Sequence, residues 1–391
     1  MKTTIHRWAQ STGWLPELPL SGRNDQLVLM FGPTRFTGTS HEDLRRHFPM
    51  AEIVYVSGGG QMYADATAEL AESDDVVLAA LQFDDVTVHA RAVYDVTRTS
   101  SVESASRLAA SFPPLPEGSH LFVFTEGIDV RGDRFIHTLR EHFPSGISIS
   151  GGLASNGLAL TDSVVGLNGP ATRNTAVAVA VYGPRVRIAC AVAQGWTAFG
   201  PTRRVTNSEG SLLTRLDDEP ALGLYRRYLG PFAEELPGSA LLFPLAVNAP
   251  GSRHDVVRSI LGVNDNDGTM AFAGDVPVNS TARLMRTSED QLIDAVELAT
   301  RDALEQMGDV STDLAICVSC IGRNAVLRSR TEEEVSSCHG TGGISRVIGF
   351  YSNGEFGPSA RSGEALATDR DGPEDYVMHN QSMTITLVGE G

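Results

Sequence analysis

Short apolar runs alternate with amphipathic segments along the first 150 residues of the chain. Two of the runs, residues 26–32 and 52–56, end in glycine-containing turns, which predicts buried strands. Apolar positions three or four apart predict helices between the runs. The helices are expected near residues 41–48, 101–112 and 132–143. This alternation of strand and helix predicts a layered α/β architecture.

The pattern becomes richer in strands further along the chain. Residues 175–182 and 186–193 flank Gly183-Pro184, and this arrangement predicts a hairpin. Residues 75–83 and 86–92 similarly predict an adjacent pair of strands. Residues 1–24 contain prolines and glycines without periodicity, and they are expected to be an irregular lead-in. The remaining predicted elements are helices at 220–229 and 291–306 and strands at 313–320, 347–351 and 383–388.

Composition and charge exclude several classes of protein. The 391 residues are 41% hydrophobic and 20% charged, which is typical of a folded protein. The formal net charge of −17 argues against a nucleic-acid or anionic-membrane partner. The start of the chain has no signal-peptide pattern, and the longest apolar stretch, 175–193, is interrupted by charges and proline. Four cysteines do not make a disulfide framework, so we expect a cytoplasmic protein.

Three cysteines and a histidine suggest a zinc site at first sight. Cys317 and Cys320 form a Cys-x-x-Cys pair, and Cys338-His339 could complete a tetrahedral set. The pair, however, lies within a continuous strand pattern, where side chains three residues apart point to opposite faces. We therefore expect no zinc site here.

A glycine cluster follows the strand predicted at 52–56. Residues 57–60 read Ser-Gly-Gly-Gly, whose backbone N–H groups could cradle an anion. The alternative is a tight turn with no ligand, and the sequence favours it. The chain has no Gly-x-Ser-x-Gly elbow, phosphate-binding loop or dinucleotide fingerprint.

Two clusters of polar residues lie where predicted strands end. One is Cys320-Ile-Gly322-Arg323, and the other runs from Gly349 to Glu355. Ligands of α/β proteins tend to bind outside strand ends, which makes both clusters candidates for a site. The alternative is that Arg323 and Glu355 form a structural ion pair between two turns, and spacing alone does not decide between them.

Several segments together resemble the FIST family. The N-terminal half of the chain contributes Ser-Gly-Gly-Leu-Ala at 150–154, which is similar to a Gly-Gly-x-Ala turn of the family. The other segments occur in the family's order, and the resemblance runs from about residue 25 to the end. They are GWTAFGPT (195–202), VTNSEG (205–210), LDDEPALGLY (216–225), FPL (243–245), GDVP (274–277), SCIGR (319–323), GFYSNGE (349–355) and HNQSMT (379–384). The resemblance implies a FIST N domain at 25–215 and a FIST C domain at 216–391, both α/β with mixed sheets.

The resemblance implies a sensor in signal transduction rather than an enzyme. In similar stand-alone FIST proteins the cofactor is haem, the signal is nitric oxide and the partner is a histidine kinase. The alternative within the family is a sensor of amino acids or other metabolites without haem. One departure concerns residues 56–61, which lack the acid and polar side chains common at this loop. Ligand contacts from this loop would then come from the backbone.

The resemblance also implies which residues form the site. Those expected to bind the ligand are Cys320, Gly322, Arg323, Tyr351, Glu355 and Asn380, and His379 is the candidate haem ligand. We expect them to converge in one cavity, with Cys320 partly exposed and more reactive than Cys190 because Arg323 favours the thiolate. The rival hypothesis is an enzyme with Cys320 as nucleophile, His379 as base and Glu355 as orienting acid.

Overall fold

A computed structural model describes residues 1–19, 24–65, 74–359 and 376–391, and it confirms an α/β fold with mixed sheets. The strands of the first half are β1 (Lys2–Ala9), β2 (Gly13–Leu15), β3 (Leu27–Gly32), β4 (Glu52–Ser57), β5 (Gln61–Ala64), β6 (Val76–Gln82), β7 (Thr87–Tyr94), β8 (His120–Thr125), β9 (Ser148–Leu153), β10 (Val165–Leu167), β11 (Thr175–Tyr182) and β12 (Val186–Ala193).

The strands that follow are β13 (Thr197–Glu209), β14 (Leu212–Leu216), β15 (Glu219–Pro220), β16 (Leu245–Asn248), β17 (Val256–Arg258), β18 (Ile260–Asn264), β19 (Thr269–Phe272), β20 (Thr281–Arg286), β21 (Leu314–Cys320), β22 (Val347–Ser352), β23 (Gly354–Pro358), β24 (Tyr376–His379) and β25 (Met383–Glu390). The helices are α1 (His41–His47), α2 (Ser101–Ala110), α3 (Gly132–Glu141), α4 (Ala221–Leu229), α5 (Glu289–Met307), α6 (Ile321–Leu327) and α7 (Thr331–Gly340), with short 3-10 helices at Gly230–Glu235, Gly238–Leu242 and Arg328–Arg330.

Three of the sheets repeat one arrangement of five strands. Two parallel strands lie at the centre, two antiparallel strands extend one side, and one antiparallel strand extends the other side. The three orders are β10-β4-β3-β6-β1, β23-β9-β8-β11-β7 and β5-β22-β21-β25-β12. In each sheet at least one helix joins the two parallel strands, as parallel pairing requires.

The single antiparallel strand of each sheet comes from a different part of the chain. Strand β5 follows β4 but pairs with β22 of the third sheet. Strand β10 follows β9 but pairs with β4 of the first sheet, and β23 follows β22 but pairs with β9 of the second. The three sheets therefore exchange strands in a cycle, and the two halves of the chain are interlocked.

Backbone hydrogen bonds close this cycle where the parallel strands end. The N–H of Ser155 donates to the carbonyl of Ser57 at 2.8 Å, and the N–H of Gly59 donates to that of Tyr351 at 2.8 Å. The third bond runs from the N–H of Asn353 to the carbonyl of Leu153 at 3.2 Å. Because each bond joins one sheet to the next, the carboxyl ends of all three parallel pairs meet at one junction.

A shared hydrophobic core lies between the three sheets. Phe31 on β3, Phe124 on β8 and Phe350 on β22 contribute one aromatic ring from each sheet, and all three are fully buried. Their ring centroids are 4.9, 6.1 and 6.3 Å apart, within the range of favourable aromatic contacts. The rings thus hold the three sheets together just beneath the junction.

A fourth sheet is inserted between β12 and α5. It contains β13 to β20 and packs with α4 around its own core, which includes Leu213, Tyr225 and Leu284. Helix α5 then covers the third sheet, and it begins with a capping box between Ser288 and Gln291. This inserted sheet lies against the second sheet along β24.

The structure corrects two expectations about local elements. Residues 2–9, expected to be irregular, form β1, and residues 2–8 of it pair with β6. The strand was missed because its sequence has little apolar alternation, and β1 contributes only Ile5 to the central core. The hairpin predicted from residues 175–193 is also wrong, because β11 pairs with β7 and β8 whereas β12 pairs with β25. The adjacent strands predicted at 75–83 and 86–92 are present as β6 and β7, but they lie in two sheets: β6 pairs with β1 and β3, and β7 pairs with β11. Each short turn passes from one sheet to the next because all three sheets surround the same core.

We predict that Phe350→Ala strongly destabilises the protein, because it leaves a cavity at the point where three sheets meet. The expected loss in free energy of unfolding is about 3–5 kcal/mol. Chemical denaturation followed by circular dichroism measures it. Met50→Ala removes an exposed apolar side chain and serves as control, with a change within about 0.5 kcal/mol. A Phe350→Ala variant as stable as this control would contradict the shared core.

Candidate functional site

The predicted site residues lie around the ends of β21, β22 and β23, as the sequence suggested. Every one of them is buried, and Cys320 is only 4% exposed. Their hydrogen bonds divide them into separate groups. The structure therefore shows a packed polar interior at this place, and each group has its own bonding partners.

Arg323 is the centre of the first group. Its Nε donates to Oε1 of Glu334 at 2.6 Å, and its two terminal nitrogens donate to the carbonyls of Gln194 at 2.8 Å and Leu292 at 3.0 Å. The ion pair proposed with Glu355 is therefore wrong, since Glu334 on α7 holds this guanidinium. Both side chains have no exposed surface, which makes this a buried structural pair.

The same carboxylate also binds Tyr351. Oε2 of Glu334 accepts from Tyr351 at 3.2 Å and from Ser319 at 3.1 Å. Gly322 contributes close packing, because a Cβ at this position would lie 2.6 Å from the side-chain nitrogen of Gln381. Glu334 was missed because it is one of three consecutive glutamates, which is the pattern of a solvated helix face.

Glu355 is the centre of the second group. Its two carboxylate oxygens accept from Ser352 at 2.6 Å and Ser382 at 2.7 Å. Burial raises the pKa of Glu355 to about 8. Cys320 lies beside it, and its N–H donates to the carbonyl of Ser382 at 2.9 Å.

The expectation of a partly exposed, reactive Cys320 is wrong. Burial raises the pKa of its thiol, and the charge of Glu355 raises it further, while the opposing effect of Arg323 is smaller. Cys190 is 8% exposed, slightly more than Cys320. Arg323 fails to activate the thiol because Glu334 neutralises its charge.

His379 faces Glu355 across the β23–β24 ladder but bonds elsewhere. Its Nε2 lies 2.8 Å from the carbonyl oxygen of Pro358, and burial lowers its pKa to about 4, so the ring is neutral. No hydrogen bond joins Cys320 to His379 in the described residues. A nucleophile and its base need hydrogen-bond contact, so this conformation does not form the dyad of the rival enzyme hypothesis.

The cysteines lie on two faces of β21. Sγ of Cys317 lies 3.7 Å from Sγ of Cys338, in the core beneath α7, whereas Cys320 lies on the side of Glu355. Among residues 1–19, 24–65, 74–359 and 376–391, no group of three or more His, Cys, Asp or Glu side chains could hold a metal ion.

The glycine cluster at 57–60 is part of the strand junction. The N–H of Gly58 donates to the carbonyl of Gly32, and the N–H of Gly59 donates to the carbonyl of Tyr351. Neither N–H is therefore available to bind an anion. A Cβ on Gly59 would lie 2.7 Å from the backbone of Gly157. Glycine is needed there for close approach of two chain segments.

A cleft of about 150 Å³ lies next to this polar interior, between the two halves of the chain. Leu153 and Asn353 line the cleft at the strand junction. One wall comes from the loop after β8 and the start of α3, and the other comes from the inserted sheet. The lining residues are Arg98, Gly127, Ile128, Val130, Arg131, Asp133, Leu153, Leu160, Ser211, Leu261, Phe272, Ala273, Gly274, Asp275 and Asn353.

Charged side chains connect the two walls of the cleft. Arg131 donates to Oδ1 of Asp275, and Arg134 donates to Oδ2 at 2.9 Å. The N–H of Asp275 in turn donates to Oδ2 of Asp133 at 2.8 Å. These residues were not predicted because they are 141 to 144 positions apart and neither segment has a recognisable motif for binding.

Asn380 lies near Leu153, one of the residues that line the cleft. Gly354 lies between the two side chains. A Cβ added to Gly354 would lie 3.3 Å from Nδ2 of Asn380 and 3.2 Å from the side chain of Leu153, and Leu153 lines the cleft. Asn380 is 1% exposed, and its amide oxygen and nitrogen both lack a hydrogen-bond partner in the described residues. Such buried groups are normally satisfied, so this amide is available to a water molecule or a ligand.

Comparison with known proteins identifies the two halves of the chain. A FIST N domain model matches residues 26–219, and a FIST C domain model matches residues 221–358. The chain belongs to the FIST family. The cleft therefore lies between a FIST N domain and a FIST C domain, which are sensor domains of signal transduction.

The curated relatives of this FIST protein are distant. The uncharacterized protein Rv0628c of Mycobacterium tuberculosis is 23% identical over 234 residues, and the uncharacterized protein Mb0898c of Mycobacterium bovis is 24% identical over 234 residues. In both cases the match covers 55% of this chain and 57% of the relative. The chain thus matches little more than half the length of these relatives. Within the described residues of this FIST protein, no helix combines the length and apolar character needed to cross a membrane.

We predict that Glu334→Gln destabilises this FIST protein, because the buried guanidinium of Arg323 loses its counter-charge. The expected loss is about 3–5 kcal/mol in free energy of unfolding, measured by chemical denaturation. Glu297→Gln is the matched control, because it removes an exposed carboxylate that pairs with Arg301 on α5. Equal stability of the two variants would contradict a structural role for the Arg323 pair.

Glu355 makes a separate prediction about pH. The native carboxyl group keeps its proton up to about pH 8, whereas the unfolded one loses it near the ordinary value of 4.5. Its contribution to stability is therefore complete below the unfolded pKa and is lost as pH rises through 8. Glu355→Gln should show a smaller fall in stability than the wild type between these values, measured by denaturation at a series of pH values. Identical pH slopes would rule out titration of Glu355 in this range.

Proposed function

We propose that this FIST protein is a cytoplasmic sensor that binds a small polar ligand in the cleft between its two domains and passes the bound state to a partner protein. The observation that carries the proposal is that the two walls of the cleft come from different domains. Loop 127–131 belongs to FIST N, and residues 272–275 belong to FIST C. A ligand that contacts both walls binds one position of the inserted sheet relative to the three-sheet body better than others, and this difference in affinity is what a sensor requires.

The size and lining of the cleft favour a small molecule. Its volume of about 150 Å³ is below the roughly 300–1,000 Å³ that is typical of drug-sized ligands. Arg98, Arg131 and Asn353 supply polar groups on its surface. A metabolite no larger than an amino acid suits this volume.

The residues around His379 do not fit a haem group. Haem needs an open coordination position on an imidazole and a large apolar cavity. His379 is 1% exposed, its Nε2 bonds to Pro358, and Glu355 is its cross-strand neighbour. Its Nδ1 has no hydrogen-bond partner among the described residues, but this atom is enclosed by the protein. The cleft does not include His379 and is much smaller than haem. We therefore propose the metabolite sensor ahead of the haem-dependent nitric oxide sensor, with a histidine kinase as one candidate partner for either.

We predict that filling the cleft abolishes ligand binding without unfolding the protein. Ala273→Phe places a large side chain among the lining residues. A thermal-shift panel of small polar metabolites on the full chain should give stabilisation by at least one compound, and Ala273→Phe should lose that shift. Ala249→Phe, which alters a turn of the inserted sheet that does not line the cleft, should keep it. A ligand that stabilises the wild type and Ala273→Phe equally would move the site elsewhere.

A second prediction addresses haem directly. Protein purified from cells supplied with a haem precursor should show no Soret band, because His379 is engaged and enclosed. An absorption spectrum measures this. A stoichiometric Soret band that disappears in His379→Ala, with unchanged far-ultraviolet circular dichroism, would contradict our account and restore the haem sensor.

A further inference from the structure

Arg131 and Asp275 occupy the inner surface of the cleft, and each belongs to a different domain. We propose that the ligand is a small carboxylate with an apolar tail, and that its carboxylate takes the place of Asp275 on Arg131. This inference rests on the proposed function, since it assigns a chemical class to the ligand of the same cleft. It also assigns Asp275 the role of an internal competitor.

Arg131 has the position and the exposure to bind a ligand. Its side chain lines the cleft and is 30% exposed although it is paired with Asp275. A guanidinium binds a carboxylate through paired N–H donors, and such charge-assisted bonds are stronger than neutral ones. The group that Arg131 now holds is itself a carboxylate, so the geometry around it already suits this class of ligand.

Asp275 can release Arg131 without being left as an unpaired charge. Arg134 donates to its Oδ2 through Nε at 3.0 Å and through Nη2 at 2.9 Å. Arg134 does not line the cleft and is half-exposed. After the exchange Asp275 stays paired with Arg134 and the ligand carboxylate is paired with Arg131, which avoids the penalty of an isolated buried charge.

The start of α3 adds donors beside Arg131. The N–H groups of Gly132 and Asp133 have no acceptor among the described residues, and the N-cap position carries no side-chain cap. Backbone N–H groups at a helix N-terminus favour an anion. They supply donors for the second oxygen of a carboxylate on Arg131.

The mouth of the cleft is apolar. Leu160 from FIST N is 38% exposed, Leu261 from FIST C is 48% exposed, and both line the cleft. Phe272 and Val130 extend this apolar surface inward. A ligand with a polar head at Arg131 thus meets apolar side chains from both domains around its other end, which favours a short branched hydrocarbon tail.

The experiment is calorimetric titration of the full chain with three probes of similar size. Isovalerate has both features, isovaleramide has the tail without the charge, and glycerate has the charge with a polar tail. We expect isovalerate to bind about ten-fold more tightly than either of the others, which corresponds to about 1.4 kcal/mol. Arg131→Gln should weaken isovalerate binding by about ten-fold or more, and Leu261→Ser should also weaken it. Arg46→Gln and Leu298→Ser, which alter exposed side chains outside the cleft, should leave it unchanged.

Asp275→Asn gives the sharpest test, because the competitor model predicts tighter binding of isovalerate to this variant. A purely structural Asp275 would instead give weaker or unchanged binding, and that result would overturn the exchange. Glycerate or isovaleramide binding as tightly as isovalerate would overturn the ligand class while leaving the proposed function intact. If isovalerate fails to bind while an uncharged metabolite binds in the cleft, the inference alone fails. If no metabolite binds in the cleft, the proposed function fails as well.

Discussion

The cyclic exchange of strands is the constraint on which the rest of this structure depends. Each of the three central sheets is completed by a strand that belongs, by sequence, to another sheet. An edge strand left without its neighbour exposes a row of unpaired backbone groups, so each sheet stabilises the next. The FIST N and FIST C domains are therefore separate in sequence, because each matches its own family model. In the structure they form one interlocked body around Phe31, Phe124 and Phe350.

The same exchange determines where a ligand can bind. The strand ends that would form a crevice in an ordinary α/β sheet are joined to one another here by backbone hydrogen bonds and close glycine contacts. The space at the centre of the junction is filled, and the polar residues around Arg323 and Glu355 are bonded within the core. An accessible cleft lies to one side, where the loop after β8 meets the inserted sheet. The inserted sheet thus provides the second wall that the three-sheet body lacks.

The sequence allowed good prediction of local structure and poor prediction of pairing. Helices α2, α3, α4 and α5 and strands β21, β22 and β25 are confirmed close to their expected positions. The helices have apolar periodicity, and the three strands are buried at every position and read as short, mostly apolar runs. The predicted hairpin at 175–193 was wrong because a short turn between two apolar strands looks the same in sequence whether the strands pair with each other or enter two sheets. The prediction of an irregular segment at residues 1–24 was wrong because β1 places few side chains in the central core.

Motifs at strand ends pointed to Cys320, Arg323, Tyr351 and Glu355 as members of one ligand cavity. These residues lie in one buried region, but none of them lines the cleft, so a ligand role for them stays a prediction. Whether such residues bind a ligand or bond to each other depends on partners distant in sequence, such as Glu334 and Ser382. The cleft residues Arg131 and Asp275 share no motif, and only the fold brings them together.

The central claim is that a ligand bridges the two domains of this FIST protein at the cleft. Hydrogen–deuterium exchange with mass spectrometry on the full chain, with and without a ligand that raises its unfolding temperature, tests this most directly. We predict slower exchange in both residues 127–133 and residues 272–275, because these segments form the opposing walls. Slower exchange confined to one domain, or centred on Cys320 and His379 with both walls unchanged, would contradict the account.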